Sequence, residues 1–239
     1  MPTATHTDTD VSFSSQLRYR PLPRGANRNE EGAKLTKHDL RTRETRELLL
    51  RAAEQIFVRD GYERAELGEI ARLAGRTKGA IYAQFKSKED VFLALVQDHA
   101  LRRRAIMRHL MERSSTVEGN FAAFRKYFLD FATDDTWGFL LLEFRLYSVR
   151  NPNSKERLRK VYDSILPVNE EESYSSLLGP ASKNNNAISR TLAVHTGFSM
   201  LTALQLESKF DPNTVGSQAV RKIAGQLFDM LFQGANLPK

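Results

Sequence analysis

Residues Gly61 to Asp90 read GYERAELGEIARLAGRTKGAIYAQFKSKED. Two short stretches with helical apolar spacing flank Gly75. Leu67, Ile70, Ala71 and Ala74 share one face of the first; Ile81 and Phe85, four residues apart, share one face of the second. The spacing predicts helices over about Glu66–Ala74 and Lys78–Phe85, with Gly75 at the turn. Thr77 is placed to cap the second helix through its hydroxyl, and Ser87 to cap the next, with Asp90 three residues on. Two short helices about a glycine turn, the second opened by small and basic residues, are the pattern of a helix-turn-helix reader of DNA.

Such a helix must bring its first turn close to base edges, so its side chains there must be small, or polar and able to reach. Gly79 lets DNA approach the backbone, unless its poor helix propensity reflects tight packing instead. Ala80 offers a methyl to a thymine methyl. Lys78 reaches a guanine edge or a phosphate, and Tyr82 points its hydroxyl outward beside inward Ile81. Lys88, at the start of the following helix, joins free backbone N–H groups directed at the sugar-phosphate chain. With Arg76, Thr77 and Gln84 these form the candidate DNA-contacting set. A lone Lys, Tyr or Thr on a helix is ordinarily just surface; it is the ordered set that carries the assignment.

Outward from this stretch the chain reads as helix almost throughout. Leu49, Ala52, Ala53, Ile56 and Phe57 define a helix over about Thr42–Asp60 that Gly61 stops, and Val91, Phe92, Leu95, Val96 and His99 continue the one after Ser87. Phe121, Phe124, Phe128 and Phe131 form a third face, and Trp137, Leu140, Leu141, Phe144 and Tyr147 a fourth, ended by Asn151-Pro152. A helix over about Ser154–Leu166 precedes Pro167. Residues 167–186 are polar, with Gly179-Pro180 and three consecutive asparagines, and are expected to be mostly loop. Two helices, about Ala187–Lys209 and Thr214–Gln233, close the chain.

The 239 residues carry a net charge of +7, and 41% are hydrophobic, enough for a sizeable core. The charge is unevenly spread. Residues 17–46 hold nine basic and four acidic side chains, directly before the helix-turn-helix. A basic excess there favours phosphate as partner, although a solvated tail has the same composition. Residues 1–40 show no apolar period and contain Pro21, Pro23, Gly25 and Gly32; they are expected to form a disordered basic arm. Residues 41–88 then form the reader and 89–239 a larger helical domain. There is no cysteine, hence no thiolate chemistry, and no apolar run approaches the ~18 residues of a membrane span. A cytoplasmic protein that does not engage membranes is expected. The five histidines (6, 38, 99, 109 and 195) show no metal-ligand spacing and no nucleophile–base pairing, so no enzyme activity, metal or cofactor is expected.

The segment from about Arg43 to Arg103 resembles the TetR family of bacterial transcriptional regulators. The resemblance lies in Ala53, Ile56-Phe57, Gly61-Tyr62, Ile70-Ala71, Ala74-Gly75, Thr77 through Tyr82, Phe85 and Ser87-Lys88-Glu89, about a quarter of the chain. It implies an all-α fold, a homodimer on a palindromic double-stranded operator, and a C-terminal domain that loses DNA affinity when a small molecule binds. Two departures stand out. Ala65-Glu66-Leu67 occupies the start of the first short helix, where the family usually places Ser or Thr, and Arg76 stands at a commonly apolar turn position. The basic arm is also longer than usual, and is expected to reach along an adjacent groove.

Under this resemblance Phe124, Phe128, Phe131, Trp137, Leu141, Phe144 and Tyr147 are candidates for an effector pocket, against the alternative of an ordinary bundle core. Glu143 and Arg145 lie beside them as possible polar contacts. His195, Phe198, Leu201, Leu227, Phe228 and Leu231 are candidates for a dimer interface built from the last two helices. The function expected is a repressor released by a small apolar or aromatic effector. An activator or effector-independent DNA-binding regulator is the second reading, and a helical interaction protein the third.

Overall fold

Thr36 starts the first helix. Its hydroxyl accepts from Asp39 N–H at 3.2 Å while the Asp39 carboxylate accepts from Thr36 N–H at 2.9 Å, a reciprocal capping box. The computed structural model describes residues 36–114, 116–152, 155–165, 171–179 and 188–232, and among these every regular element is helical. In order they are α1 (Lys37–Arg64), α2 (Leu67–Leu73), α3 (Lys78–Gln84), α4 (Lys88–Glu112), α5 (Val117–Phe131), α6 (Asp135–Arg150), α7 (Lys155–Ile165), α8 (Glu171–Leu178), α9 (Arg190–Phe210) and α10 (Ser217–Phe232). Most of the expected basic arm, residues 1–35, lies outside the described residues.

Two expectations need correction. The arm was expected to run to residue 40 and the helix to begin near Thr42, but α1 begins at Lys37. Its first two turns are polar and exposed, so they leave no apolar period; the capping box and the Arg43–Glu47 pair at 3.2 Å support them instead. Residues 167–186 were expected to be loop, yet α8 lies within them. That helix is held from outside. Glu171 accepts the backbone N–H groups of Arg190 at 2.8 Å and Thr191 at 2.7 Å, capping α9, and Leu178 is buried.

The core is continuous. Around the reader it consists of Leu49, Ala53, Ile56, Phe57, Ile70, Ile81 and Phe92. Further along, the rings of α5 mesh edge-on with those of α9 and α10: Phe131 lies 4.7 Å from Phe198, Phe121 5.1 Å from Phe228, and Phe124 5.2 Å from Phe232. Phe128 sits among Phe198, Phe228 and Phe232 and is fully buried. No helix among the described residues is long and apolar enough to cross a membrane.

Phe128→Ala removes this central ring and leaves a cavity. It is expected to lower unfolding free energy by about 3–5 kcal/mol, measured by urea denaturation followed by circular dichroism.

Candidate nucleic-acid interface

The reader rests on α1. Ile70 and Ala71 of α2 and Ile81 of α3 are buried, which fixes the two short helices while leaving their other faces free. Gly75 turns the chain at φ +64°, a left-handed conformation that disfavours side chains. Arg76 N–H returns to Ala71 O at 2.9 Å to close the turn. Thr77 then caps α3, accepting from Ala80 N–H at 3.2 Å.

This geometry presents most of the candidate set together. Thr77, Lys78 and Gly79 are exposed on the first turn of α3; Tyr82 is 52% exposed, and Ala80 and Gln84 are half-buried beside them. Gly79 is informative. A Cβ added there meets only the Thr77 hydroxyl, at 3.8 Å, so internal packing does not demand glycine. Tight packing therefore does not explain this glycine.

Arg76 and Lys88 are placed differently from the rest. The Arg76 guanidinium donates to the Thr45 hydroxyl at 3.4 Å and the Gly75 carbonyl at 3.2 Å, folding back on α1. The Lys88 ammonium donates to the Glu63 carbonyl at 2.8 Å and sits 4.7 Å from the centre of the Tyr62 ring. It caps the carbonyl end of α1 rather than pointing outward. Glu66, the unusual residue at the α2 start, is exposed and makes no side-chain cap bond.

Behind the reader, α6 contacts the end of α1 and α7 contacts the start of α4. Glu143 of α6 accepts from Tyr62 N–H at 3.0 Å, and the Tyr62 ring lies 4.4 Å from that of Tyr147. Burial, then a hydrogen bond with Tyr147, pushes the Tyr62 phenol above its ordinary pKa. Arg157 of α7 pairs with Asp90 and, at 3.7 Å, with Glu89 at the start of α4. Burial alone would raise the Asp90 carboxyl; the Arg157 hydrogen bond and charge, with hydrogen bonds from Lys86 N–H and Ser87, together outweigh it and hold it below the usual carboxylate range. The sequence offered no signal for Arg157, which is 67 residues from Asp90.

The seven effector candidates do not fall in one place. Phe124, Phe128 and Phe131 belong to the ring cluster with α9 and α10. Trp137 stacks on His99 at 5.5 Å with nearly parallel rings, and His99 bonds Glu54 of α1 at 2.9 Å. The Arg103 guanidinium lies 5.5 Å from the Trp137 ring and pairs with Asp134, which caps α6. Leu141 and Phe144 are buried, and Tyr147 lies at the joint with the reader. Glu143, considered above as a ligand contact, is committed to that joint.

Three of the interface candidates also need correction. Phe198, Leu201 and Phe228 are buried within the subunit, on the inward faces of α9 and α10. Leu227 and Leu231 are half-buried. The outward apolar stripe instead runs through Leu192, Met200, Leu206 and Phe210 on α9, with Ile223 and Met230 on α10. A shallow groove of about 390 Å³ lies along this stripe, lined by His195, Thr196, Ser199, Met200 and Ala203.

A helix-turn-helix with an exposed first recognition turn, mounted on a larger helical domain, defines a DNA-binding regulator class. Residues 49–95 match the family model described as bacterial regulatory proteins, tetR family. The transcriptional activator FasR of Mycolicibacterium smegmatis is 31% identical over 134 residues, 56% of this chain and 58% of FasR. The repressor BepR of Brucella suis is 49% identical over 53 residues, 22% of this chain and 25% of BepR. The chain therefore spans little more than half of the one relative and a quarter of the other. In three dimensions it resembles FadR of Bacillus subtilis, solved with stearoyl-CoA, at a TM-score of 0.55 and 20% identity, over 79% of this chain and 98% of that one. Residues 49–95 of this chain are thus similar to the DNA-binding domain of the TetR family of bacterial transcriptional regulators.

The depressed Asp90 carboxyl stabilises the fold above its ordinary pKa of about 4, and that contribution is lost as pH falls through its lower folded value. Asp90→Asn is expected to lower Tm at pH 7, the gap from wild type closing below about pH 4. Thermal melts across pH 2–8 check this; a gap constant with pH contradicts it.

Proposed function

We propose that this protein is a dimeric repressor that binds a palindromic operator through α3 and releases it when a small apolar or aromatic effector binds the C-terminal domain. The single observation that carries DNA binding is Gly79: an exposed glycine in the first turn of α3 with no packing reason to be glycine. Thr77, Lys78, Ala80, Tyr82 and Gln84 surround it as polar or small contacts. Arg76 and Lys88 join by exchanging their internal carbonyl and hydroxyl partners for phosphate. An effector of apolar character matches the aromatic interior, and the FadR neighbour holds a molecule with a long apolar chain. Release follows from population shift: a ligand that prefers one arrangement of the readers draws the dimer away from the spacing of successive major grooves. A cytoplasmic location follows from this role. FasR, the longer match, is an activator, and it supports activation as the second reading of the sign of control.

Gel-shift titration against the DNA upstream of the protein's own coding sequence tests the proposal. A specific complex that weakens steeply with salt is expected. Gly79→Ala is expected to weaken it about tenfold while leaving unfolding stability equal or higher, because alanine favours helix. Binding that is neither sequence-dependent nor salt-sensitive refutes it.

The outward stripe on α9 and α10 is the proposed dimer surface, with His195, Leu227 and Leu231 at its border. Met200→Glu places a charge in that stripe. Sedimentation is expected to show a dimer for wild type and a monomer for the variant.

A further inference from the structure

Gly61 has φ +74° and ψ 173°, so the helical path of α1 breaks there and resumes for one turn to Arg64. The break sits where α1 hands over to the reader, and the Glu143 carboxylate of α6 fills it. One oxygen accepts from Tyr62 N–H at 3.0 Å; the other lies 3.2 Å from where a Gly61 Cβ would stand. The backbone conformation favours glycine, and a Cβ there would crowd the Glu143 carboxylate by a few tenths of an ångström. The partners are 81 residues apart, so this bond joins the two domains rather than neighbouring turns. It is flanked by the Tyr62–Tyr147 ring contact on the same side of α6. The Arg157 pair holds the start of α4, a different element, so at the end of α1 Glu143 acts beside Lys88 alone of the charged side chains described above.

We propose that Glu143 is a positioning residue: its carboxylate, bound to the broken end of α1, fixes the angle at which the C-terminal domain presents the DNA reader. A carboxylate is suited to the task. It accepts a backbone N–H as a charge-assisted bond, which is stronger and more directional than a ring contact. Glu143 also directly precedes Phe144, on the same helix as Trp137 and Leu141. Under the effector reading above, on which this one link rests, a ligand that shifts those side chains moves the carboxylate with them.

The absence of cysteine permits a direct test without DNA or effector. Ala83→Cys on α3 and Ala122→Cys on α5, both exposed, take spin labels. Labelled chains are diluted into unlabelled wild type so that each measured distance lies within one chain. The parent protein is expected to give one narrow distance distribution by pulsed electron resonance. Glu143→Ala is expected to widen it about twofold as more orientations become populated, and Glu143→Gln, which keeps an acceptor oxygen, to restore the narrow width. Thermal melting is followed in parallel. A fall in Tm with the width unchanged assigns Glu143 a purely structural role and overturns the proposal. Should Glu143→Ala fail to fold, Glu143→Asp, one methylene too short to reach Tyr62, carries the same test with the same outcomes. Failure here leaves operator binding standing, and failure of the gel shift leaves this result standing.

Discussion

A single positive φ, at Gly61, governs how the two halves of this protein meet. It interrupts the long run of α1, and the Tyr62 N–H that follows donates to a carboxylate of another domain. Glu143 supplies that partner, Tyr62 and Tyr147 pack beside it, and Lys88 closes the remaining carbonyl end of α1. Any other residue at Gly61 would strain the backbone and push the carboxylate away. The reader is therefore a unit gripped at its base, with α2 and α3 projecting from it.

The tie between the C-terminal core and this joint is short in space. Trp137 stacks on His99, and His99 bonds Glu54 of α1, so the interior of the C-terminal domain touches the helix that carries the reader. Glu143 and Tyr147, one turn apart on α6, make a second route from the same helix. Both routes run through packed side chains, and densely packed interiors shift between discrete arrangements more readily than they deform continuously.

Local chemistry was legible in the sequence, and long-range chemistry was not. The helix-turn-helix was readable because its helices are amphipathic, its turn needs glycine, and its caps lie within three residues of what they cap. The start of α1 was misjudged because a polar, exposed helix leaves no apolar period; Thr36 and Asp39 carried the only signal. α8 was missed because its support comes from α9, through Glu171. Phe198, Leu201 and Phe228 stand out in the sequence of α9 and α10 as large apolar residues but face inward, whereas the outward stripe is thinner and interrupted by Thr196 and Ser199. Glu143 reads as a lone acid beside apolar residues, and nothing near it in sequence points to Tyr62.

The electrostatics of the reader follow from how its basic groups are engaged. Arg59 pairs with Asp60 at 2.6 Å and Glu69 at 2.9 Å, and Arg76 and Lys88 bind internal oxygens. Lys78 stands exposed at the recognition turn itself. Exposed pairs and bonds to neutral oxygens of this kind hold their cations weakly, so a phosphate competes for them at little cost. Until one arrives, the internal partners hold the side chains close to their places, which reduces the ordering required on binding. The surface is then modest in attraction at long range and prepared at short range. Lys37, Arg41 and Arg43, exposed on the first turns of α1, add positive charge to the same domain.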